Sequence, residues 1–147
     1  MDVYSKAQRS ATMARVRGKD TAPEKAVRSL LHRLGFRFRL HRSDLPGTPD
    51  IVMPGRGIVI LVHGCFWHQH PNCPHATRPT SNCAYWNAKL DRNVVRDADN
   101  QRALKRLGWK VAVIWECQLK DIDRLVRRLT RLCCLGQPAK SGEQLRN

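Results

Sequence analysis

Acidic residues are scarce in this 147-residue sequence. Only 12 Asp and Glu side chains stand against 27 Lys and Arg, which gives a formal net charge of +15 at pH 7. So basic a chain is not typical of an ordinary metabolic enzyme and indicates a polyanionic partner. Nucleic acid is the first choice, because neutralising phosphates releases condensed counterions. An anionic membrane surface is the alternative.

Long hydrophobic runs are also missing. No segment approaches the roughly 18 apolar residues of a membrane-spanning helix, and the start, MDVYSKAQRS, lacks the apolar stretch of a secretory signal. We therefore expect a soluble, cytoplasmic protein that does not associate with a membrane. In such a reducing compartment the six cysteines are expected to be thiols or metal ligands rather than disulfides.

The length suits a single domain with short tails. Residues 1–19 carry five basic residues against one acidic residue and have no strong hydrophobic period, which predicts a basic N-terminal arm. Residues 136–147 are polar and predict a C-terminal tail. The folded domain is then expected at residues 20–135.

Hydrophobic periodicity within that domain predicts an α/β fold. Thr21 and Glu24 form a capping box at the start of the first helix. The predicted elements are a helix at 21–34, strands at 36–40, 51–53 and 58–62, a helix at 85–107, a strand at 110–116 and a last helix from 122 to 132. The run 58–62 predicts a fully buried strand, and the helix between it and 110–116 favours parallel pairing of the two. This order predicts a mixed sheet flanked by helices.

A long loop at residues 63–83 is rich in His and Cys and predicts a metal site. Cys65, His70 and Cys73 are spaced so that one loop can wrap a tetrahedral zinc ion. Cys117 is our choice of fourth ligand, because adjacent parallel strands would bring it beside Cys65. The remaining candidates in this region are His68, His75 and Cys83. With four protein ligands the zinc would be structural.

Two further residues are candidates for hydrolytic chemistry. Asp50 opens a strand after a turn, where a carboxylate can bind Mg²⁺ together with water and a substrate phosphate. An Asp after Pro is, however, most often only a turn residue. His68 lies between the predicted zinc ligands and has a side chain suited to proton transfer.

Aromatic residues flank the same loop. Phe66 and Trp67 are adjacent between the predicted ligands, so at least one is expected to face outward. Trp86 begins a basic helix that contains Lys89. In a basic protein such aromatic side chains indicate wedges that enter base steps of DNA. The alternative for Trp86 is a core anchor at a helix start.

Several segments together resemble the very short patch repair (Vsr) DNA mismatch endonucleases over about residues 1–134. They are DTAPEK at 20–25, LPGTPD at 45–50, HGCFWH at 63–68, NVVRD at 93–97, LGW at 107–109 and VIWEC at 113–117. The resemblance implies a restriction-endonuclease-like fold with a structural zinc. It also implies Mg²⁺-dependent nicking of DNA beside the T of a T:G mismatch.

The resemblance further implies roles for individual residues. Asp50 and the backbone carbonyl of Val62, where family members commonly have Thr, would bind Mg²⁺, and His68 would be the catalytic histidine. Glu24 and His63 would support the reaction near the scissile phosphate. The implied zinc ligands are Cys65, His70, Cys73 and Cys117, and the implied DNA-contacting residues are Phe66, Trp67, Trp86, Lys89 and, from the arm, Met13.

The sequence therefore predicts a monomeric, strand-nicking endonuclease whose substrate is mismatched double-stranded DNA. We expect it at the nucleoid when it acts, with mismatch-repair proteins as candidate partners. The alternative hypothesis is a non-catalytic zinc module that binds nucleic acid, which would explain the charge and the aromatic residues but would leave Asp50 and His68 without a purpose.

Overall fold

A mixed four-stranded sheet forms the centre of the structure, a computed structural model that describes residues 20–135. Its strands are β1 (Arg39–Leu40), β2 (Ile51–Met53), β3 (Ile58–His63) and β4 (Lys110–Trp115), in that spatial order. β1 pairs antiparallel with β2, and β2 pairs antiparallel with β3. β3 pairs in parallel with β4, as the helix between them led us to expect. The predicted arm, the predicted tail and Met13 lie outside the described residues.

Within residues 20–135, three helices cover the two faces of this sheet. They are α1 (Ala22–Arg33), α2 (Cys83–Arg106) and α3 (Ile122–Leu135), and short 3₁₀ turns lie at Pro54–Arg56, Pro74–Ala76 and Glu116–Lys120. The small α/β fold with a mixed sheet flanked by helices is therefore confirmed. None of the described helices has both the length and the apolar character needed to cross a bilayer.

Burial follows the predicted pattern most closely in β3. All six of its residues are buried, in agreement with its β-branched sequence. On one face of the sheet Ile60 and Ile114 pack with residues of α1 and α3, such as Leu31 and Leu129. On the other face Val59 belongs to a second apolar cluster, whose members are Val52, Val59, Leu61, Leu104 and Trp109.

The first helix begins as its capping sequence predicts. The Thr21 hydroxyl accepts a hydrogen bond from the Glu24 backbone N–H at 3.4 Å, which satisfies one of the free donors of the first turn. Gly35 follows the helix with φ +87°, a conformation that favours glycine. Both ends of α1 lie within one residue of the predicted bounds, 21 and 34.

Two details of the predicted elements are wrong. The strand expected at 36–40 is reduced to Arg39–Leu40, and Leu40 is 39% exposed. β1 is an edge strand, and its partner β2 is only three residues long, so little ladder is available to extend it. Val94 and Leu107 belong to the apolar period at positions 90, 94, 98, 104 and 107 that predicts the helix at 85–107. They are nevertheless 41% and 51% exposed and belong to neither apolar cluster.

The turn between β1 and β2 passes close to α2. Gly47 has φ +75°, and a Cβ atom there would lie 2.6 Å from Nδ2 and 3.0 Å from Cβ of Asn100. Thr48, next to it, also has a positive φ, of 46°. A glycine at position 47 thus lets the segment before Asp50 approach the helix directly.

We predict that Gly47→Ala lowers the free energy of unfolding by more than about 1 kcal/mol, because the new methyl group meets both a left-handed backbone and Asn100. Two matched variants separate these effects in urea titrations. Gly35 has a positive φ and open space around its Cβ position, whereas Gly55 has open space and no positive φ. The expected loss therefore decreases from Gly47→Ala to Gly35→Ala to Gly55→Ala. Equal losses for the first two would contradict the close approach to Asn100.

Candidate active site and metal centre

Four potential metal ligands converge where β3 and β4 end. One ligand atom from each of Cys65, His70, Cys73 and Cys117 lies within 4.8 Å of all the others. The parallel register pairs His63 with Trp115, so Cys65 and Cys117 each follow the paired ends by two residues. The same sheet edge therefore supplies both cysteines, which is the arrangement expected of adjacent parallel strands. The structure brings together the set of four predicted from the sequence.

The geometry of this cluster suits a tetrahedral zinc ion. The Nδ1 atom of His70 is 3.7 Å from Sγ of Cys65 and 3.4 Å from Sγ of Cys117. Zinc bonded to one sulfur and one nitrogen at its usual bond lengths separates the two donors by about 3.5 Å. Burial, together with the neighbouring thiols of Cys117 and Cys73, raises the pKa of Cys65 to about 12. A bound cation would offset the cost of forming thiolates there.

The loop that carries these ligands is held by local contacts. The backbone N–H of His70 donates to the Cys65 carbonyl at 2.9 Å, and the His70 ring stacks on Trp115 at 4.2 Å between centroids. Other candidates for the fourth ligand lie outside the cluster. The Cys83 thiol instead donates to the Thr80 carbonyl at 3.0 Å, and His75 contacts the Lys120 ammonium at 3.0 Å.

Asp50 lies at the start of β2, with its carboxylate against β3. Its Oδ2 accepts a hydrogen bond from the Val62 backbone N–H at 2.8 Å. Burial and, to a smaller extent, the charge of the neighbouring Glu24 raise the pKa of Asp50 to about 7, although the Val62 hydrogen bond acts in the opposite direction. A carboxylate in such a position is more than a turn residue, because its negative charge is costly unless a cation compensates it.

Glu24, in the first turn of α1, is buried against the same site. Its Oε2 atom accepts a hydrogen bond from the Asp20 backbone N–H at 3.0 Å and lies 3.0 Å from Nε2 of His41. The structure therefore brings two carboxylates, from α1 and from β2, to one location.

His68 and His63 form a stacked pair beside these carboxylates. Their ring centroids are 3.9 Å apart and their planes are nearly parallel. Nδ1 of His68 lies 2.6 Å from Oδ2 of Asp97 in α2, which leaves Nε2 as the nitrogen available to a substrate. Burial and the neighbouring His68 lower the pKa of His63 to about 4. His63 is therefore neutral near pH 7.

A single open cleft of about 870 Å³ joins these groups. Its carboxylates and imidazoles come from α1, from the start of β2, from the end of β3 and the loop after it, from α2 and from the turn after β4. Lys89 and Arg96 of α2 add positive charge to the wall. The titratable and catalytic candidates among its lining residues are Glu24, Asp50, His63, His68, Lys89, Arg96, Asp97 and Glu116.

The predicted aromatic residues form one cluster at the mouth of the cleft. Phe66 contacts Trp67 and Trp86 at centroid distances of 5.1 and 5.6 Å, and the two tryptophans are 5.9 Å apart. Phe66 and Trp67 both line the cleft and are both partly exposed, whereas Trp86 is 9% exposed. Trp86 is thus a helix anchor as well as a member of the cluster.

Two partners in this site were not predicted from the sequence. Asp97 belongs to a segment that carried the family resemblance, yet no role was assigned to it. His41 directly follows the predicted strand at 36–40 and was assigned no role. A helical period connects Asn93, Asp97 and Asn100 on one face of α2, and this period was the available signal for Asp97.

Comparison with known proteins covers most of the chain. A sequence profile described as DNA mismatch endonuclease Vsr matches residues 1–74. The Type II nicking enzyme V.XorIIP of Xanthomonas oryzae pv. oryzae is 52% identical over 131 residues, which are 89% of this chain and 96% of the relative. V.NmeAIP, a Type II nicking enzyme of Neisseria meningitidis, is 39% identical over 131 residues, or 89% of this chain and 93% of the relative.

The DNA mismatch endonuclease Vsr of Escherichia coli K12 is also similar. It is 41% identical over 124 residues, which are 84% of this chain and 79% of the relative. Identities of this size over nearly whole chains, together with the profile match, establish the relationship. The chain belongs to the Vsr family of DNA mismatch endonucleases and is a DNA endonuclease, a hydrolase of phosphodiester bonds.

Proposed function

We propose that this endonuclease nicks one strand of double-stranded DNA beside the T of a T:G mismatch, in a Mg²⁺-dependent step of very short patch repair. The observation that carries the proposal is that Asp50, Val62 and the His68–Asp97 pair line one cleft together with Phe66 and Trp67. Relatives described as nicking enzymes and as a mismatch endonuclease support it. A non-catalytic zinc module would not require this combination, and the enzymatic relatives argue against it.

The metal-binding part of the proposal rests on Asp50 and the carbonyl of Val62. Mg²⁺ usually takes only one or two protein carboxylates and completes its shell with water and substrate phosphate. The pKa of Asp50 is raised mainly by burial, so a nearby cation would stabilise the charged form of this carboxylate. When bound, Mg²⁺ would offset the negative charge that develops on the scissile phosphate.

His68 is the proposed general base. Because Asp97 occupies Nδ1, the unprotonated Nε2 can take a proton from the attacking water, and Asp97 fixes both the tautomer and the ring orientation. His63 stacks on this ring and is neutral, since burial lowers its pKa to about 4. It therefore supports the ring without adding a second positive charge when His68 becomes protonated.

Specificity for the mismatch is proposed to arise from the aromatic cluster. A T:G pair stacks less stably than a matched pair, so opening it costs less. Phe66 and Trp67, which are partly exposed, would wedge into the base step. Trp86, predicted as a third wedge, is buried and would instead support them from behind, and Lys89 on the cleft wall would contact the DNA. Met13, outside the described residues, is proposed to wedge from the opposite groove.

The remaining parts of the proposal concern the whole chain. The four-stranded mixed sheet supports a restriction-endonuclease-like fold. Residues 1–19 are proposed to be a DNA-binding arm, 20–135 the endonuclease domain and 136–147 a tail. The enzyme is proposed to act as a cytoplasmic monomer at the nucleoid, with mismatch-repair proteins as candidate partners.

Zinc is the proposed occupant of the Cys65, His70, Cys73 and Cys117 cluster, in a structural role, because all four positions of a tetrahedron are filled by protein. We expect Cys117→Ala to lose the metal and to unfold more readily, since one ion would join two strand ends and the loop between them. Cys134→Ala is the matched control, because Cys134 is an exposed thiol in α3. Elemental analysis of purified protein measures the outcome. If Cys117→Ala retains one zinc ion per chain, the assignment of Cys117 as a zinc ligand is wrong.

Catalysis and binding should separate at Asp50 and His68. Asp50→Asn keeps an acceptor for the Val62 N–H but removes the charge, and His68→Ala removes the base. Both variants should fold, keep zinc and bind mismatched duplex, while nicking falls by at least about 10²–10⁴-fold. Asp99→Asn, an exposed carboxylate of α2, should nick normally. Wild-type nicking by Asp50→Asn would show that the active site lies elsewhere.

Trp67→Ala should show the opposite behaviour. Stacking of one base on an aromatic ring contributes about 1–3 kcal/mol, so the preference for a T:G duplex over a matched duplex should fall at least about fivefold. Leu107→Ala, an exposed apolar residue immediately after the far end of α2, serves as control. Competition binding with both duplexes measures the ratio. An unchanged ratio would remove the aromatic cluster from mismatch recognition.

A further inference from the structure

His41 contacts both halves of the carboxylate pair through different atoms. Its backbone N–H donates to the Asp50 carbonyl at 3.2 Å, which continues the β1–β2 pairing one step beyond Leu40 and Ile51. Its side chain reaches α1, where Nε2 lies 3.0 Å from Oε2 of Glu24. One residue thus connects the strand that carries Asp50 to the helix that carries Glu24.

The direction of the side-chain hydrogen bond follows from chemistry. A carboxylate oxygen is an acceptor, so Nε2 of His41 is assigned as the donor and Oε2 of Glu24 as the acceptor. The bond is well shielded from water, because the side chains of Glu24 and His41 are only 4% and 17% exposed. A shielded hydrogen bond to a carboxylate is stronger and more directional than an exposed one.

Glu24 requires such a fixed donor. It has three side-chain torsions and lies near the carboxylate of Asp50, whose like charge repels it. The hydrogen bonds from the Asp20 N–H and from His41 both end on Oε2, so they hold one oxygen and orient the other. The donor from Asp20 belongs to α1's own N-terminal turn, whereas the bond from His41 ties the carboxylate to the end of β1, next to the strand that carries Asp50.

The backbone of His41 is shaped for this contact. The residue has φ +47°, in the left-handed region that a non-glycine residue seldom adopts. The chain turns there after the two-residue strand β1, and the ring projects toward α1 while the backbone still pairs with Asp50. Strained backbone that orients a side chain toward a reaction centre is a recurring feature of functional sites.

We propose that His41 is a positioning residue, which holds the Glu24 carboxylate at a fixed place relative to Asp50. The inference rests on the proposed function, because it gives Glu24 a supporting role in the same reaction. His41 does not line the cleft, so it is assigned no contact with the DNA or the metal. It acts through Glu24, and its effect should therefore vanish when Glu24 is absent.

A double-mutant cycle with metal-dependent nicking tests this dependence. His41→Ala should lower the nicking rate at saturating DNA by roughly 10–100-fold, as for other residues that orient a functional carboxylate, with little change in KM for DNA. His41→Gln, whose amide can still donate, should recover most of the rate. In a Glu24→Ala background the same His41→Ala change should have less than about a twofold effect, because coupled residues are not additive. His32→Ala, an exposed histidine of α1, is the matched control.

A measurement on the metal-free protein provides the second readout. Nitrogen-15 NMR of the imidazoles should show His41 protonated at Nε2, with a proton that exchanges slowly with water, and Glu24→Ala should abolish that protection. Equal losses from His41→Ala with and without Glu24, or a rapidly exchanging Nε2 proton in the wild type, would overturn the inference. The Asp50→Asn variant distinguishes failure of this inference from failure of the proposed function. If Asp50→Asn nicks normally, the proposed function is wrong. If Asp50→Asn is inactive and the effects of His41→Ala and Glu24→Ala are additive, only the role of His41 is refuted.

Discussion

Parallel pairing of β3 with β4 is the constraint on which both functional clusters depend. The register ends with His63 opposite Trp115, and the chain then delivers Cys65 from one strand and Cys117 from the other to the same edge. His63, the last residue of β3, faces the cleft, while Trp115 packs against both His63 and His70. A slip of one residue in this register would exchange inward and outward side chains along the strand. It would disperse the candidate metal ligands and the histidines of the cleft together.

Antiparallel pairing of β2 with β3 adds the carboxylate to this edge. Asp50 immediately precedes β2, and Val62 is the second-to-last residue of β3. Because the two strands are antiparallel, these two residues lie side by side. The Val62 N–H compensates part of the charge of Asp50, but burial has the larger effect on its pKa. The fold thus stabilises an arrangement of buried carboxylates that would be unfavourable on its own. Such groups are expected where a substrate or cation completes the balance of charge.

Sequence reasoning was successful where chemistry is local or follows from strand adjacency. Cys65, His70 and Cys73 could be grouped from their spacing, and Cys117 could be added because two parallel strands share an edge. Asp97 and His41 could not be assigned in this way, since their partners are 29 and 17 residues distant and meet them only through tertiary packing. Val94 was misassigned because helical periodicity identifies a face of α2 without revealing which positions on that face meet the core: Leu90 and Leu104 are buried, whereas Val94 between them is exposed.

The middle of α2 contributes polar side chains to the cleft. The helix has 24 residues and buries only Trp86 and Leu90 near one end and Leu104 near the other. Between them, Asn93 donates to the Trp67 carbonyl at 3.0 Å and Asp97 holds His68 at 2.6 Å. Packing at the two ends fixes the helix, so its polar middle can position the aromatic loop and His68, the proposed general base. An apolar middle would bury more surface and add stability, but it would leave His68 without the carboxylate that selects its tautomer. In this protein the stretch of α2 that contributes least to the core therefore contributes most to the geometry of the cleft.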